Sequence, residues 1–211
     1  MRRRARAEPP WALLSFLLRY PDDAVDAARL ELVAEVAALE DGAVRGSLER
    51  FLAGWSADPA RYVETFDLRR RASLHLTYYA HGDTRERGMA LLRLKKLYRA
   101  AGLPLASAEL PDHLTIMLAF AALAPPGHGE ALLAEHRPAI ELLRLSLHDL
   151  ESPYAHVLDA VAALLPALTV TERGQVERLA REGPPDEAVG LEPYGPPEAM
   201  PVSARARSCS G

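Results

Sequence analysis

Residues 23–39 read Asp23-Ala-Val-Asp-Ala-Ala-Arg-Leu-Glu-Leu-Val-Ala-Glu-Val-Ala-Ala-Leu39. Apolar side chains at positions 25, 28, 32, 36 and 39 recur at spacings of three and four, so they share one face of an α-helix. The charged residues at 26, 29, 31 and 35 fall largely outside that face. The pattern predicts an amphipathic helix that packs against a core and is ended by Gly42.

The same periodicity recurs along most of the chain. We predict further helices at Trp11–Leu18, Ser47–Trp55, Leu68–Tyr79, Arg85–Ala101, Leu110–Leu123, Ala139–Leu150, Tyr154–Leu168 and Glu172–Arg181. No segment alternates polar and apolar residues convincingly, as a half-buried strand would. Short breaks with proline or glycine separate the helical segments. The prediction is an all-α, single-domain helical bundle of roughly eight to ten helices with short loops.

Composition divides the 211 residues into three parts. We predict a flexible N-terminal arm at residues 1–10, a helical domain at 11–182 and a Pro-rich tail at 183–211. The tail has almost no apolar periodicity and cannot offset the entropy of ordering, so it is predicted to be disordered. Another Pro/Gly-rich break, at residues 124–129, is predicted to link two helices.

The N-terminus imitates an export signal, because three arginines at positions 2–4 precede the apolar run Trp11–Leu18. Pro9 and Pro10 interrupt the approach to this run, and charged residues follow it where a small-residue cleavage site would stand. We therefore predict a proline-started first helix. Since no run of about 18 apolar residues occurs, we expect no membrane insertion and a cytoplasmic location.

Charge and cysteine content narrow the classes of partner. Lys and Arg total 25 and Asp and Glu total 29, so a net positive field that would favour nucleic acid is missing. The one cysteine, Cys209, can build neither a disulfide framework nor a thiolate cage. None of the seven histidines has another histidine four residues away. We expect no nucleic acid, no metal and no other cofactor.

The motifs of the common enzyme classes are missing. The sequence has no Gly-x-Ser-x-Gly elbow, no phosphate-binding glycine loop and no His-Glu-x-x-His helix. Asp112 and His113 are adjacent, but neighbouring residues on a helix point about 100 degrees apart, so a capping or structural role for Asp112 is favoured. The chain is predicted not to be an enzyme.

One unusual pattern occupies residues 62–90. Helical spacing gives a single stripe of five residues, Leu68, Ala72, His75, Leu76 and Tyr79, and Gly82 suits the left-handed stop of that helix. Asp83 and Glu86 have the spacing of a capping box for the next helix.

The same pattern also admits a binding role. Arg85 and Arg87 are suited to holding a carboxylate, either within the chain or on a partner. The aromatic residues Tyr62, Phe66 and Tyr79 are suited to lining a groove, although periodicity alone favours core packing for them.

A second unusual pattern is Glu109-Leu-Pro-Asp-His113, ahead of an apolar run that ends at Phe120. Pro111 suits a first helical turn, and Glu109 or Asp112 suits the N-terminus of that helix. Alternatively, the pattern forms an acidic and imidazole patch beside an apolar face, which would bind a peptide with apolar anchors and positive charge. The residues leave both interpretations open.

These patterns resemble the redox-enzyme maturation chaperones, and specifically the NarJ-type branch that assembles nitrate reductase. The run 62–90 contains Thr-Phe-Asp, Ser-Leu-His-Leu and His-Gly-Asp-Thr-Arg-x-Arg-Gly, which resemble the signature of that branch. Glu109-Leu-Pro-Asp-His113 resembles the Glu-x-x-Asp-His element of the wider superfamily. Residues 140–154 and the early Leu-Leu-Arg-Tyr-Pro21 add weaker matches, and the resemblance covers residues 11–170.

The resemblance implies an all-helical cytoplasmic chaperone. Such a protein binds the N-terminal segment of the catalytic molybdenum subunit and holds it for cofactor insertion before the enzyme docks to its membrane anchor. By position, the implied client-binding residues are Tyr62, Phe66, Asp67, His75, Leu76, Tyr79, Asp83, Arg85, Arg87, Glu109, Asp112 and His113. The three arginines at 69–71 are more basic than the signature, and whether the chain forms a homodimer is left open.

Three other functions stay open at this point. A chaperone for a dimethyl sulfoxide or trimethylamine oxide reductase would be favoured by a twin-arginine signal on its client. An enzyme or nucleotide-dependent switch would use Asp112 and His113. A helical scaffold without a redox client is the third alternative.

Overall fold

Short loops join a succession of helices that share one core. The computed structural model describes residues 8–106 and 108–183. Within these residues lie twelve α-helices and one 3-10 helix, Arg70–Ala72. The α-helices are α1 Trp11–Leu17, α2 Asp23–Ala27, α3 Arg29–Ala38, α4 Ala43–Gly54, α5 Pro59–Phe66, α6 Leu76–His81, α7 Arg85–Ala100, α8 Leu114–Leu123, α9 His128–Glu135, α10 Arg137–Asp149, α11 Tyr154–Leu164 and α12 Val170–Glu182. The all-α prediction is confirmed, with slightly more helices than predicted.

Among the described residues, the N-cap side chain caps the start of three α-helices, namely α2, α5 and α12. Asp58 caps α5 by accepting hydrogen bonds from two backbone amides, and Pro59 occupies the first helical position. Thr169 and Glu172 form a reciprocal capping box at the start of α12. At these helices the start is therefore set by neighbouring residues in the sequence.

The amphipathic stretch 23–39 forms two helices where one was predicted. A single turn residue, Ala28 with ψ of −2°, separates the end of α2 from the start of α3. The predicted apolar face is nevertheless the buried one: Val25, Leu32 and Val36 are each exposed by 4% or less. The periodicity therefore located the face correctly and missed the turn.

Helices α10 and α11 lie at the centre of the bundle. α11 packs against α4 and α10, while α1 packs against α8, which in turn packs against α9. Fully buried side chains at these contacts include Leu48, Phe51, Leu143 and Val161. No helix among the described residues is long and apolar enough to cross a bilayer.

Two of the predicted helix spans were wrong, and both lie at the candidate site described below. Leu68–Tyr79 is not one helix, since the 3-10 helix is followed by extended residues and α6 begins only at Leu76. The predicted helix from Leu110 likewise begins only at Leu114, so Pro111 precedes the first turn. The five-residue stripe of the first pattern therefore does not exist as a helical face.

Two helices were not predicted, namely α5 and α9. Residues 124–127 do link α8 to α9, but α9 begins within the break that was predicted to be a link. The flexible arm was predicted for residues 1–10 and the disordered tail for residues 183–211. Residues 1–7 and 184–211, which include Cys209, lie outside the described residues.

Candidate functional site

The two unusual sequence patterns meet through their backbones. The Leu76 amide donates to the Asp112 carbonyl over 3.0 Å, and the Leu114 amide donates to the Leu74 carbonyl over 2.8 Å. Together they form an isolated antiparallel bridge between His75 and His113. Because backbone amides at these positions pair with a distant segment, they are not available for the helices that periodicity predicted.

Asp112 ties the bridge to the start of α6. Its side chain is fully buried, and one carboxylate oxygen lies 3.1 Å from His75 Nδ1. The other oxygen accepts from the Thr77 hydroxyl over 2.5 Å and from the Thr77 amide over 3.3 Å. Asp112 thus caps a helix that lies far from it in sequence. The favoured structural role for Asp112 is what the structure shows.

The charge of Asp112 is stabilised despite its burial. Burial alone would raise the pKa, but the hydrogen bonds from His75 and Thr77 and the positive charge of Arg87 outweigh burial and hold the pKa below its ordinary value. The Arg87 guanidinium lies 3.5 Å from the carboxylate. Asp112 is therefore a buried anion with a complete set of partners.

Arg87 is held inside the chain. It donates to the Asp83 carboxylate over 3.1 Å, and its guanidinium lies 5.8 Å from the centre of the Tyr78 ring. The predicted capping box of Asp83 with Glu86 was wrong, because Thr84 occupies the N-cap of α7 and makes no side-chain cap. The sequence allowed Arg87 to bind a carboxylate either within the chain or on a partner. In the structure it binds carboxylates within the chain.

The three aromatic residues of the first pattern are packed in the core. Tyr62 and Phe66 contact each other and Tyr154, with ring centres 4.7 to 5.8 Å apart. The Tyr62 hydroxyl donates to the Leu18 carbonyl, and the Tyr79 hydroxyl donates to the carbonyls of Arg71 and Ser73. Each ring is 5% to 6% exposed, so the preference for core packing is confirmed.

A cleft of about 420 Å³ opens beside the bridge between His75 and His113. It is bounded by the end of α1, the end of α5, the extended segment before α6 and the first turn of α8. Six predicted site residues line it: Tyr62, Phe66, Asp67, His75, Glu109 and His113. Tyr62 and Phe66 are core residues that contribute only an edge to its apolar wall.

The cleft is both acidic and aromatic. Three carboxylates line it, from Asp22, Asp67 and Glu109, against the single guanidinium of Arg19. Burial lowers the pKa of His113 to about 4, so its imidazole is neutral at pH 7. The arrangement is complementary to a segment that carries apolar side chains and positive charge. No group of three or more metal-ligating side chains occurs in the part of the chain that the structure describes.

The other six predicted site residues do not line the cleft. Leu76 and Tyr79 are buried, and Asp112 lies behind His75 as its support. Arg87 and Asp83 pair with each other, while Arg85 is exposed on α7. Their predicted role in client binding gains no direct geometric support from this cleft.

The sequence patterns missed three residues in the connection between α1 and α2. Arg19, Tyr20 and Asp22 line the cleft, and the Tyr20 ring meets Tyr62 edge to face at 5.5 Å. Tyr20 is 49% exposed, so its ring is accessible to a partner. The run Leu-Leu-Arg-Tyr-Pro21 could have identified Arg19 and Tyr20. It contributed to the family resemblance, but none of its residues was included among the predicted site residues.

Comparison with known proteins agrees with this architecture. The family model "Nitrate reductase delta subunit" matches residues 27–160. The chain is 35% identical to the nitrate reductase molybdenum cofactor assembly chaperone NarJ of Escherichia coli K12 over 190 residues, which are 85% of this chain and 79% of that protein. It is 32% identical to the probable assembly chaperone NarJ of Bacillus subtilis 168 over 167 residues, covering 77% and 91% of the two chains.

A third relative is longer. The nitrate reductase-like protein NarX of Mycobacterium tuberculosis H37Rv is 39% identical over 156 residues, but the match spans 72% of this chain and only 23% of NarX. The family model and the two chaperones each match well over half of this chain. The chain therefore belongs to the nitrate reductase delta subunit family, as a member of the NarJ-type molybdenum cofactor assembly chaperones.

Proposed function

We propose that this chain binds the N-terminal region of the catalytic subunit of respiratory nitrate reductase in the cleft beside the His75–His113 bridge. By holding that region, it keeps the subunit competent for molybdenum cofactor insertion before membrane docking. The chaperone acts in the cytoplasm, catalyses no reaction and needs no cofactor of its own. The names and the extent of the NarJ relatives support the assembly role.

The cleft is the observation that carries the client-binding part of the proposal. Its exposed Tyr20 ring offers an aromatic anchor, and its three carboxylates favour a cationic peptide. The buried residues around it form a rigid frame, because Asp112 fixes both the bridge and α6. A preformed cleft loses little conformational entropy on binding.

Such a chaperone works by differential affinity. It binds the extended N-terminal segment of an unfinished subunit, and folding of the subunit around its cofactor withdraws that segment from the cleft. Release then needs no energy source in the chaperone, since the client loses its binding-competent state.

Calorimetric titration tests the proposal directly. The titrant is a peptide that copies the N-terminus of the catalytic subunit from the same genome, beside a scrambled peptide. We expect sequence-dependent binding of the first peptide alone. Equal affinity for both, or no binding of either, would overturn the client assignment, and a pull-down would then ask whether another molybdoenzyme is the client.

Variants of cleft residues test whether the peptide binds in the cleft or elsewhere on the surface. Tyr20→Ala removes an anchor and is expected to weaken binding by about fivefold or more, while Asp67→Asn removes a rim charge and is expected to weaken it by about twofold to fivefold. Glu35→Gln on α3, an exposed carboxylate away from the cleft, is the matched control. If all three variants bind as the wild type does, the peptide occupies another surface.

A further inference from the structure

A second and larger groove, of about 860 Å³, lies between the 3-10 helix and the helices α10 and α12. The three arginines at 69–71 line one side, and apolar side chains of Leu145, Leu150 and Leu179 line the other. These arginines are the feature that sets the first sequence pattern apart from the family signature. None of the three arginines lines the cleft beside the His75–His113 bridge.

The positive charge of this groove is largely unneutralised. Arg69 pairs with Glu64 over 3.0 Å, but Arg70 and Arg71 are exposed and have no ion pair with any described residue. One carboxylate, Asp149, also lines the groove. Leu145 remains 40% exposed on the apolar side. An occupant with several carboxylates and a few apolar side chains would satisfy both sides.

The chain supplies a segment of that chemistry at the mouth of the groove. Helix α12 ends at Glu182, and the next residue, Gly183, itself lines the groove. Residues 184–200 contain four acidic residues and no Lys or Arg. The same stretch contains Val189, Leu191, Tyr194 and Met200. Eight extended residues reach up to about 27 Å, so no long linker is needed.

We propose that residues 184–200 of this chain dock in the arginine-lined groove, with carboxylates on Arg70 and Arg71 and apolar side chains on the leucine side. The composition of this segment predicts disorder for the segment by itself, and contacts with the groove would supply the free energy that ordering it requires. Tethering makes the docking intramolecular, so that even weak contacts act at a high effective concentration. Docking covers the exposed Leu145 and joins α12 to the segment that carries the His75–His113 bridge. This inference is independent of the client proposed for the cleft.

Double electron–electron resonance, which measures the distance between two nitroxide labels, tests the docking in the full chain. Nitroxides at Glu177→Cys on α12 and Leu191→Cys in the docking segment, in a Cys209→Ser background, report how the segment is placed. An excess of unlabelled protein removes contributions between chains. We expect one narrow distance peak at low salt, which broadens at high salt.

Charge reversal decides whether the arginines hold the segment. Arg70→Glu with Arg71→Glu is expected to abolish the narrow peak, and adding Asp186→Lys with Glu187→Lys is expected to restore it. Lys95→Glu with Lys96→Glu on α7 makes the same change of net charge and is expected to leave the peak intact. Circular dichroism verifies folding of each variant. A broad distribution in the wild type, or a narrow peak that survives the arginine reversal, would overturn the docking.

Discussion

At the scale of single residues, the buried Asp112 supports the cleft through its contacts with His75 and Thr77. Asp112→Ala would leave the Thr77 amide without its acceptor and Arg87 without one of its carboxylates. We expect the free energy of unfolding to fall by about 3 kcal/mol. Urea denaturation followed by circular dichroism measures this, with the exposed Asp67→Asn as the control, expected within about 0.5 kcal/mol of the wild type. An Asp112→Ala variant that kept its stability would contradict the structural role.

His113 is a single residue whose titration is expected to make the stability of the protein depend on pH. Its pKa of about 4 in the folded state lies below its ordinary value of 6.5, so the unfolded chain binds more protons between these values. Stability is therefore expected to fall as the pH is lowered from 7 towards 4. Burial also lowers the pKa of His136, so both histidines contribute in the same direction.

Asp112 extends this dependence to lower pH. Its pKa lies below the ordinary 3.8, so its contribution is present above that value and is lost as the pH falls through the folded pKa. Denaturation midpoints at several pH values measure the combined slope. His113→Gln is expected to flatten the slope between pH 6.5 and 4 without abolishing it. An unchanged slope in this variant would show that His113 does not titrate as its burial implies.

At the scale of helices, the contact between α8 and α9 depends on a glycine. A Cβ added at Gly129 would lie 2.2 Å from the Ala121 Cα, which is backbone and cannot yield without moving a helix. We expect Gly129→Ala to destabilise the protein by about 2 kcal/mol. Gly174→Ala on α12 is the matched control, because its Cβ meets nothing within 4 Å and the change is expected to stabilise by about 0.5 to 1 kcal/mol. Equal effects in thermal unfolding would contradict close packing at Gly129.

At the scale of the whole molecule, binding of the proposed client is expected to stabilise the folded bundle. A client peptide that binds only the folded chain, at 100 times its dissociation constant, should raise the free energy of unfolding by about 2.7 kcal/mol. Thermal unfolding with and without the peptide measures this shift. Tyr20→Ala is expected to show a smaller shift at the same peptide concentration. A stabilisation that is identical in both proteins would place the peptide outside the cleft.

The helical class, the buried faces and the breaks between most helices followed from the sequence. Apolar residues repeat with the period of an α-helix, and proline and capping residues act on their immediate neighbours. Val25, Leu32 and Val36 are buried as their spacing predicts, and Tyr62, Phe66 and Tyr79 are core residues as periodicity favoured. The family resemblance also rested on local motifs, and the comparisons confirm it.

Only the tertiary structure decided how the two motifs combine. Residues 74–76 are not part of one continuous helix with residues 68–72, because their backbone pairs with Asp112 and Leu114. These partners lie more than thirty residues away in the sequence. Local spacing carries no information about such a partner, so it placed both segments in helices and directed Asp112 to the wrong N-terminus. The same pairing brings His75 and His113 together, and the contact of Tyr20 with Tyr62 adds the residues after α1 to the same cleft. Sequence periodicity thus identified most of the buried faces, although Leu68 of the predicted stripe is 73% exposed. Long-range backbone pairing, which local spacing cannot encode, brought His75 and His113 to one site.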